Sequence, residues 1–187
     1  FVGVHLPAAT NKPQTTRNRI LGIYSDSKTQ IVFLDTPGIH LGGKRLLNRA
    51  LNKTAVSALP EGDVVMFVVE AGRWTDEDET VLGHLADLKM PVILVVNKVD
   101  KVEDKAELMP FLQQVQQKRE FAEIIPVSAY REKNVRYLLK QLKTYMAEGE
   151  FAYSPDDITD RNMRFIAAEM VREQLTDELS QELPYSL

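Results

Sequence analysis

Pro91-Val92-Ile93-Leu94-Val95-Val96-Asn97-Lys98-Val99-Asp100 decides the fold. Val92–Val96 reads as a buried strand, apolar at every position as strands covered on both faces are, and it stops at a polar tetrad. Upstream, Asp63–Glu70 is a second continuous apolar run. Between the two, Asp76–Leu88 reads as a helix, with Thr75 as its N-cap and acids in its first turn. Downstream come a helix over Asp104–Lys118, a strand over Ile124–Val127 and a helix over Val135–Met146. Toward the start of the chain lie β-rich runs at Phe1–Val4, Ile20–Tyr24 and Gln30–Leu34. A helical pattern over Arg45–Leu59 carries Leu46, Leu47, Ala50, Leu51 and Ala55 on one face. Strands alternating with helices through short loops predict an α/β fold, an open sheet flanked by helices on both faces. Such sheets bind ligands at the carboxyl ends of their strands.

Three polar clusters occupy such ends. Asp35-Thr36-Pro37-Gly38 follows the third run. Its carboxylate suits Mg²⁺, directly or through water, and its glycine lets a backbone N–H approach a phosphate oxygen. Alone, it also reads as a Pro-Gly turn with an N-capping aspartate. Asn97-Lys98-Val99-Asp100 suits guanine: a carboxylate accepts from both N1–H and the exocyclic amine, a donor pair that adenine lacks. Its Asn can tie loops together, and its Lys stem can cover the base plane; a polar strand-to-helix loop is the bland alternative. Ser128-Ala129 follows Ile124–Val127, where a backbone N–H would meet guanine O6. Its weight comes from its place, one helix and one strand after the tetrad.

Composition narrows the classes. The 187 residues hold no apolar run long enough to span a bilayer. No cysteine is present, which excludes a disulfide framework and a thiolate metal site. His5, His40 and His84 are too scattered to suggest a zinc centre. The net charge of −4 argues against a generic nucleic-acid coat, but it is unevenly spread. Residues 1–153 carry 20 basic and 19 acidic side chains, and residues 154–187 carry 3 and 8. The shift at Ser154-Pro155-Asp156-Asp157 marks a domain boundary. Lys44, Arg45, Arg49 and Lys53 form an acid-free basic stretch that reads either as an RNA contact or as a solvated face.

The order and spacing of the three clusters resemble the signatures of P-loop-class GTPases. Lys12-Pro13-Gln14-Thr15-Thr16-Arg17, Asp35-Thr36-Pro37-Gly38-Ile39-His40, Phe67-Val68-Val69-Glu70 with Arg73-Trp74-Thr75, Ile158-Thr159-Asp160-Arg161 and Glu182-Leu183-Pro184-Tyr185-Ser186 are similar to the Era family of ribosome-assembly GTPases. The resemblance runs from Lys12 to the end of the chain. It implies GTP/GDP and Mg²⁺ as ligands, GTP hydrolysis, small-subunit rRNA and the small ribosomal subunit as partners, a monomer, and a cytoplasmic location; on peripheral membrane contact the residues are silent. By the same resemblance Asp35, Thr36, Pro37 and Gly38 serve the phosphates. Asn97, Lys98, Asp100, Ser128 and Ala129 serve the base. Either Thr15 or Thr16 is the switch threonine, and Thr16 and Asp35 face the metal. Ile39 stands where Ras-like proteins place a glutamine that orients water. Hydrolysis is therefore expected to be slow unless another group, a K⁺ ion or a partner completes the site.

Two departures qualify the resemblance. No Gly-x-x-x-x-Gly-Lys-Ser/Thr phosphate loop stands between Phe1-Val2-Gly3-Val4 and Thr15. The stretch is read as a join across absent residues rather than as a lost loop. Glu132 and Lys133 precede Asn134-Val135 where relatives often have a glycine, which leaves the shape of that loop open. At the other end, Arg161–Leu183 reads as one helix capped by Thr159 or Asp160. Phe165, Ala168, Val171, Leu175 and Leu179 lie on one face, the expected first helix of a KH-type RNA-binding domain. A nucleotide-free GTPase-like scaffold and a GTPase of tRNA modification are the competing readings.

Overall fold

The computed structural model describes residues 20–35, 62–160, 164, 166–168 and 170–171. The chain divides into two compact units, one of residues 1–58 with 149–187 and the other of residues 59–148. The expected strand at Phe1–Val4 and helix at Arg45–Leu59 lie outside the described residues.

In the first unit, β1 (Ile20–Ser25) and β2 (Gln30–Asp35) form an antiparallel hairpin, with Ile20 opposite Asp35 and Ser25 opposite Gln30. Asp26 makes the turn. Its Oδ1 accepts the N–H groups of Lys28 at 2.9 Å and Thr29 at 2.8 Å, and its own N–H donates to the Thr29 carbonyl at 2.9 Å. A short aspartate side chain copies a backbone turn in this way. Ile23 and Ile31 are buried apolar side chains of the hairpin. The chain beyond residue 150 runs along it: Gln30 exchanges two hydrogen bonds with the Tyr153 backbone, at 3.0 and 2.9 Å, and Ile23 N–H donates to the Ile158 carbonyl at 2.9 Å. Ser154–Asp157 is a reciprocal turn, with Asp157 N–H on the Ser154 carbonyl and Ser154 N–H on Asp157 Oδ2, both at 3.0 Å. Arg164, residues 166–168 and residues 170–171 are helical, and Ala168 and Val171 of the expected apolar face are exposed.

In the second unit, β3 (Val65–Glu70), β4 (Val92–Asn97) and β5 (Glu123–Pro126) form a parallel sheet in the order β3-β4-β5. Val65 pairs with Val92 and Glu70 with Asn97, while Ile93 pairs with Glu123 and Val96 with Pro126. The connections are α1 (Asp76–Leu85), α2 (Lys105–Gln116) and, after β5, α3 (Val135–Lys143). Val92, Leu94 and Val96 of β4 pack with Phe67, Val69, Leu82, Leu85, Phe111 and Val115, so α1 and α2 cover one face. Ile93 and Val95 point to the other face and are buried as well, as the unbroken apolar run predicts. Leu138 and Leu142 of α3 are buried outside the first cluster. The α/β fold with a parallel sheet flanked by helices is the one expected.

The three helices each end short of the expected Leu88, Lys118 and Met146. Backbone bonds of the i→i−3 type close every end: Ala86 and Leu88 on α1, Gln117 and Lys118 on α2, Thr144, Tyr145 and Met146 on α3. Tightening the last turn satisfies carbonyls that the α-helix leaves open. On α1 the Arg119 guanidinium adds to this by donating to the Leu85 and Leu88 carbonyls. At the start of α1, Thr75 is the N-cap of a capping box. Asp78 N–H donates to Thr75 Oγ1 at 3.1 Å, and Thr75 N–H donates to Asp78 Oδ2 at 2.8 Å.

Candidate functional site

The site stands at the carboxyl ends of β4 and β5. Asn97 is the last residue of β4, and its Oδ1 accepts two backbone protons: Lys98 N–H at 2.8 Å and Ala129 N–H at 3.0 Å. The second bond crosses from the β4 loop to the β5 loop. Backbone bonds hold the same junction, with Val127 N–H on the Val96 carbonyl at 2.8 Å and Val99 N–H on the Val127 carbonyl at 3.2 Å. The chain then turns through Lys98, at φ 64° and ψ 32°, into a short 3-10 turn, Val99–Lys101. The left-handed backbone disfavours most L-residues, and here it starts the turn that carries Asp100.

Ser128 is fully buried, and its hydroxyl donates to Asp100 Oδ1. The Ser128 Oγ in turn accepts Arg131 N–H at 2.9 Å. Ser128 thus fixes Asp100 from below while Asp100 itself remains exposed. The bond holds the Asp100 carboxyl below its ordinary range, with smaller help from Arg131 and Lys101. The exposed surface therefore presents an ionised carboxylate at neutral pH.

The β5 loop closes on itself. Ser128 and Lys133 exchange backbone bonds at 3.1 and 3.0 Å, and Asn134 Nδ2 donates to the Pro126 carbonyl at 2.8 Å. Glu132 and Asn134 both have positive φ, 53° and 60°. Asparagine tolerates that region, whereas glutamate is strained there. Glu132 thus keeps a glycine-like conformation without being glycine, which answers the question its sequence raised about the loop.

Lys98 makes a contact that sequence reasoning missed. Its Nζ lies 2.9 Å from Glu70 Oε2, at the end of β3. Glu70 is beside Asn97 in the sheet register, and only that register brings it to Lys98, 28 positions away. This lysine is the main cause of the lowered pKa of Glu70. Ala71 N–H donates to the Asn97 carbonyl at 2.8 Å, so the end of β3 is pinned to the tetrad.

Asn97, Lys98, Asp100, Ser128 and Ala129 are therefore brought together in one unit. Asp35 closes β2 in the other unit. Thr15, Thr16, Thr36, Pro37 and Gly38 lie outside the described residues. Among the described residues, no group of three or more His, Asp or Glu side chains is placed to hold a metal ion. No described helix is long and apolar enough to cross a membrane.

A parallel α/β sheet whose Asn-Lys-x-Asp and Ser-Ala loops are hydrogen-bonded to each other at the strand ends defines a GTPase domain of the P-loop class. The family described as 50S ribosome-binding GTPase matches residues 2–98, and GTPase Era of Glaesserella parasuis serovar 5 is 47% identical over all 187 residues, which span 62% of that relative. The chain belongs to this GTPase family and, within it, to the Era group. A solved structure of Era in complex with MgGDPNP and nucleotides 1506–1542 of 16S ribosomal RNA superposes with a TM-score of 0.90 at 35% identity, covering 97% of this chain and 62% of that one. A variant of Aquifex aeolicus Era bound to GDP·AlF4⁻ gives the same TM-score, identity and coverage.

Proposed function

We propose that the protein is a GTP-binding and GTP-hydrolysing switch that binds small-subunit rRNA and the small ribosomal subunit during ribosome assembly. The observation that carries this reading is the joined base-side loop pair. Asn97 ties the two loops, and Ser128 holds an ionised Asp100 at the surface. That arrangement suits guanine, whose N1–H and amine pair with one carboxylate, and it leaves adenine without a match. The Ala129 region would meet guanine O6, and the Lys98 stem would cover the base.

GTP, GDP and Mg²⁺ as ligands are supported by the MgGDPNP and GDP·AlF4⁻ bound to the Era neighbours. On the phosphate side, Asp35, Thr36, Pro37 and Gly38 would approach the γ-phosphate, and Thr16 with Asp35 the metal, which when bound would neutralise phosphate charge. Either Thr15 or Thr16 would act as the switch threonine, and another group, a K⁺ ion or a partner would complete the site that Ile39 leaves without a water-orienting group. Residues 1–153 would form the GTP-binding domain. The rise in acidic residues from Ser154-Pro155-Asp156-Asp157 onward supports a boundary there, with 154–187 beginning a KH-type domain.

The family description names the 50S subunit, whereas the Era neighbour holds a 16S fragment. The similarity to that neighbour over nearly the whole chain favours 16S RNA for this protein. A cytoplasmic monomer fits this role. The test is direct titration of an RNA corresponding to nucleotides 1506–1542 into intact protein loaded with GTP analogue or with GDP. Tighter binding in the GTP-analogue state is expected. Failure to bind in both states would overturn the RNA assignment.

A further inference from the structure

We propose that Glu70 is a positioning residue for base recognition: it anchors the Lys98 ammonium so that the lysine stem is already laid out where the guanine plane arrives. The inference rests on the guanine reading of the Asn97–Asp100 loop. Three observations carry it. The register pairs Glu70 with Asn97, so the carboxylate stands at the same level as the tetrad. Its backbone is fixed where it leaves the strand, by Ala71 N–H on the Asn97 carbonyl at 2.8 Å and by the turn that follows, in which Arg73 N–H donates to the Glu70 carbonyl at 3.3 Å and Gly72 has φ 75°. The ion pair itself is short, 2.9 Å, yet both side chains are substantially exposed, 45% and 38%.

The exposure is what separates positioning from stability. An ion pair open to water adds little to folding, so Glu70 has small value as a fold-holding contact. Its value lies in what it does to Lys98. A lysine has a flexible four-carbon stem, and ordering that stem on a ligand costs rotamer entropy at the moment of binding. The left-handed backbone of Lys98 sets where the side chain departs, and Glu70 holds where it ends. With both ends fixed before the nucleotide arrives, the stem offers an apolar strip to the base while its charge stays hydrated and paired.

The experiment is calorimetric titration of GDP into the intact protein, with Glu70→Gln, Glu70→Ala, Lys98→Ala and the double variant. Loss of the anchor should weaken GDP binding by about 1.5- to 5-fold, the most that an exposed ion pair can supply. Lys98→Ala should cost less in the Glu70→Ala background than in the parent, because the two residues act as a unit. In turnover, Glu70→Gln should raise the KM for GTP and leave kcat unchanged. Unchanged or tighter GDP binding in Glu70→Ala would overturn the proposal, as would strictly additive losses in the double variant. Failure of the unaltered protein to bind GDP at all would instead defeat the guanine reading on which the proposal stands.

Discussion

Asn97 and Ala129 are joined directly, the side-chain oxygen of one accepting the backbone N–H of the other at 3.0 Å. Through that bond the ends of β4 and β5 become one surface rather than two neighbouring loops. Asn97 Oδ1 also holds Lys98 N–H at 2.8 Å, so a single amide oxygen orders both the loop that carries Asp100 and the loop that carries Ser128.

Replacing Asn97 with alanine leaves two exposed backbone donors to water and uncouples the loops. GDP affinity is expected to fall by about 2- to 30-fold, the range set by losing the net contribution of one or two hydrogen bonds that hold the loops together. Calorimetry on Asn97→Ala measures it. Unaltered affinity would mean that the loops hold their geometry without the amide.

Asp100 gives a pH prediction. Ser128 lowers its carboxyl below the ordinary value in the folded protein. The sign follows from linkage: a depressed carboxylate contributes stability above its unfolded pKa and loses that contribution as pH falls through the folded value. Base recognition through Asp100 is thus expected to be insensitive to its titration at neutral and mildly acidic pH. Ser128→Ala removes the hydroxyl, raises the carboxyl toward the ordinary range and moves the acid limb of GDP binding to higher pH. A pH series of GDP titrations on both proteins decides it; superimposable acid limbs would contradict the role given to Ser128.

Glu132 occupies a left-handed position, φ 53°, in the loop from Ser128 to Lys133. Glycine takes that backbone without a Cβ penalty, although it gains freedom in the unfolded chain. Glu132→Gly is expected to stabilise the protein by about 0.5–1 kcal/mol, visible as a higher midpoint in denaturant. A lower midpoint would show that the Glu132 side chain contributes more than its strain costs.

Thr75 and Asp78 cap α1 reciprocally. Thr75→Ala should destabilise the protein by about 1 kcal/mol, and Thr75→Ser should restore most of it. Neither change should alter the preference for GDP over ADP, because the cap lies outside the base-side loops. Loss of that preference in Thr75→Ala would tie α1 to the site in a way its geometry does not suggest.

The sheet of the second unit was legible because its signals are local. Val92–Val96 is apolar at every position, and both faces of β4 are indeed buried. The clustering of Asn97, Lys98, Asp100, Ser128 and Ala129 was legible for the same reason, each following its strand directly. What escaped depends on contacts far apart in sequence or on backbone geometry. Glu70 reaches Lys98 only through the β3–β4 register. The antiparallel pairing of β1 with β2 rests on one aspartate turn at Asp26. The helix ends were set too late because apolar spacing continues through the tightened last turns, where periodicity cannot tell an α-turn from a 3-10 turn.

The most direct test of the central claim is competitive binding of GDP and ADP to the intact protein, with Asp100→Ala alongside. An ionised Asp100 reading N1–H and the exocyclic amine predicts GDP binding at least about 100-fold tighter than ADP, with most of that preference lost in Asp100→Ala. Equal affinity for the two nucleotides, or a preference that survives the loss of Asp100, would contradict it.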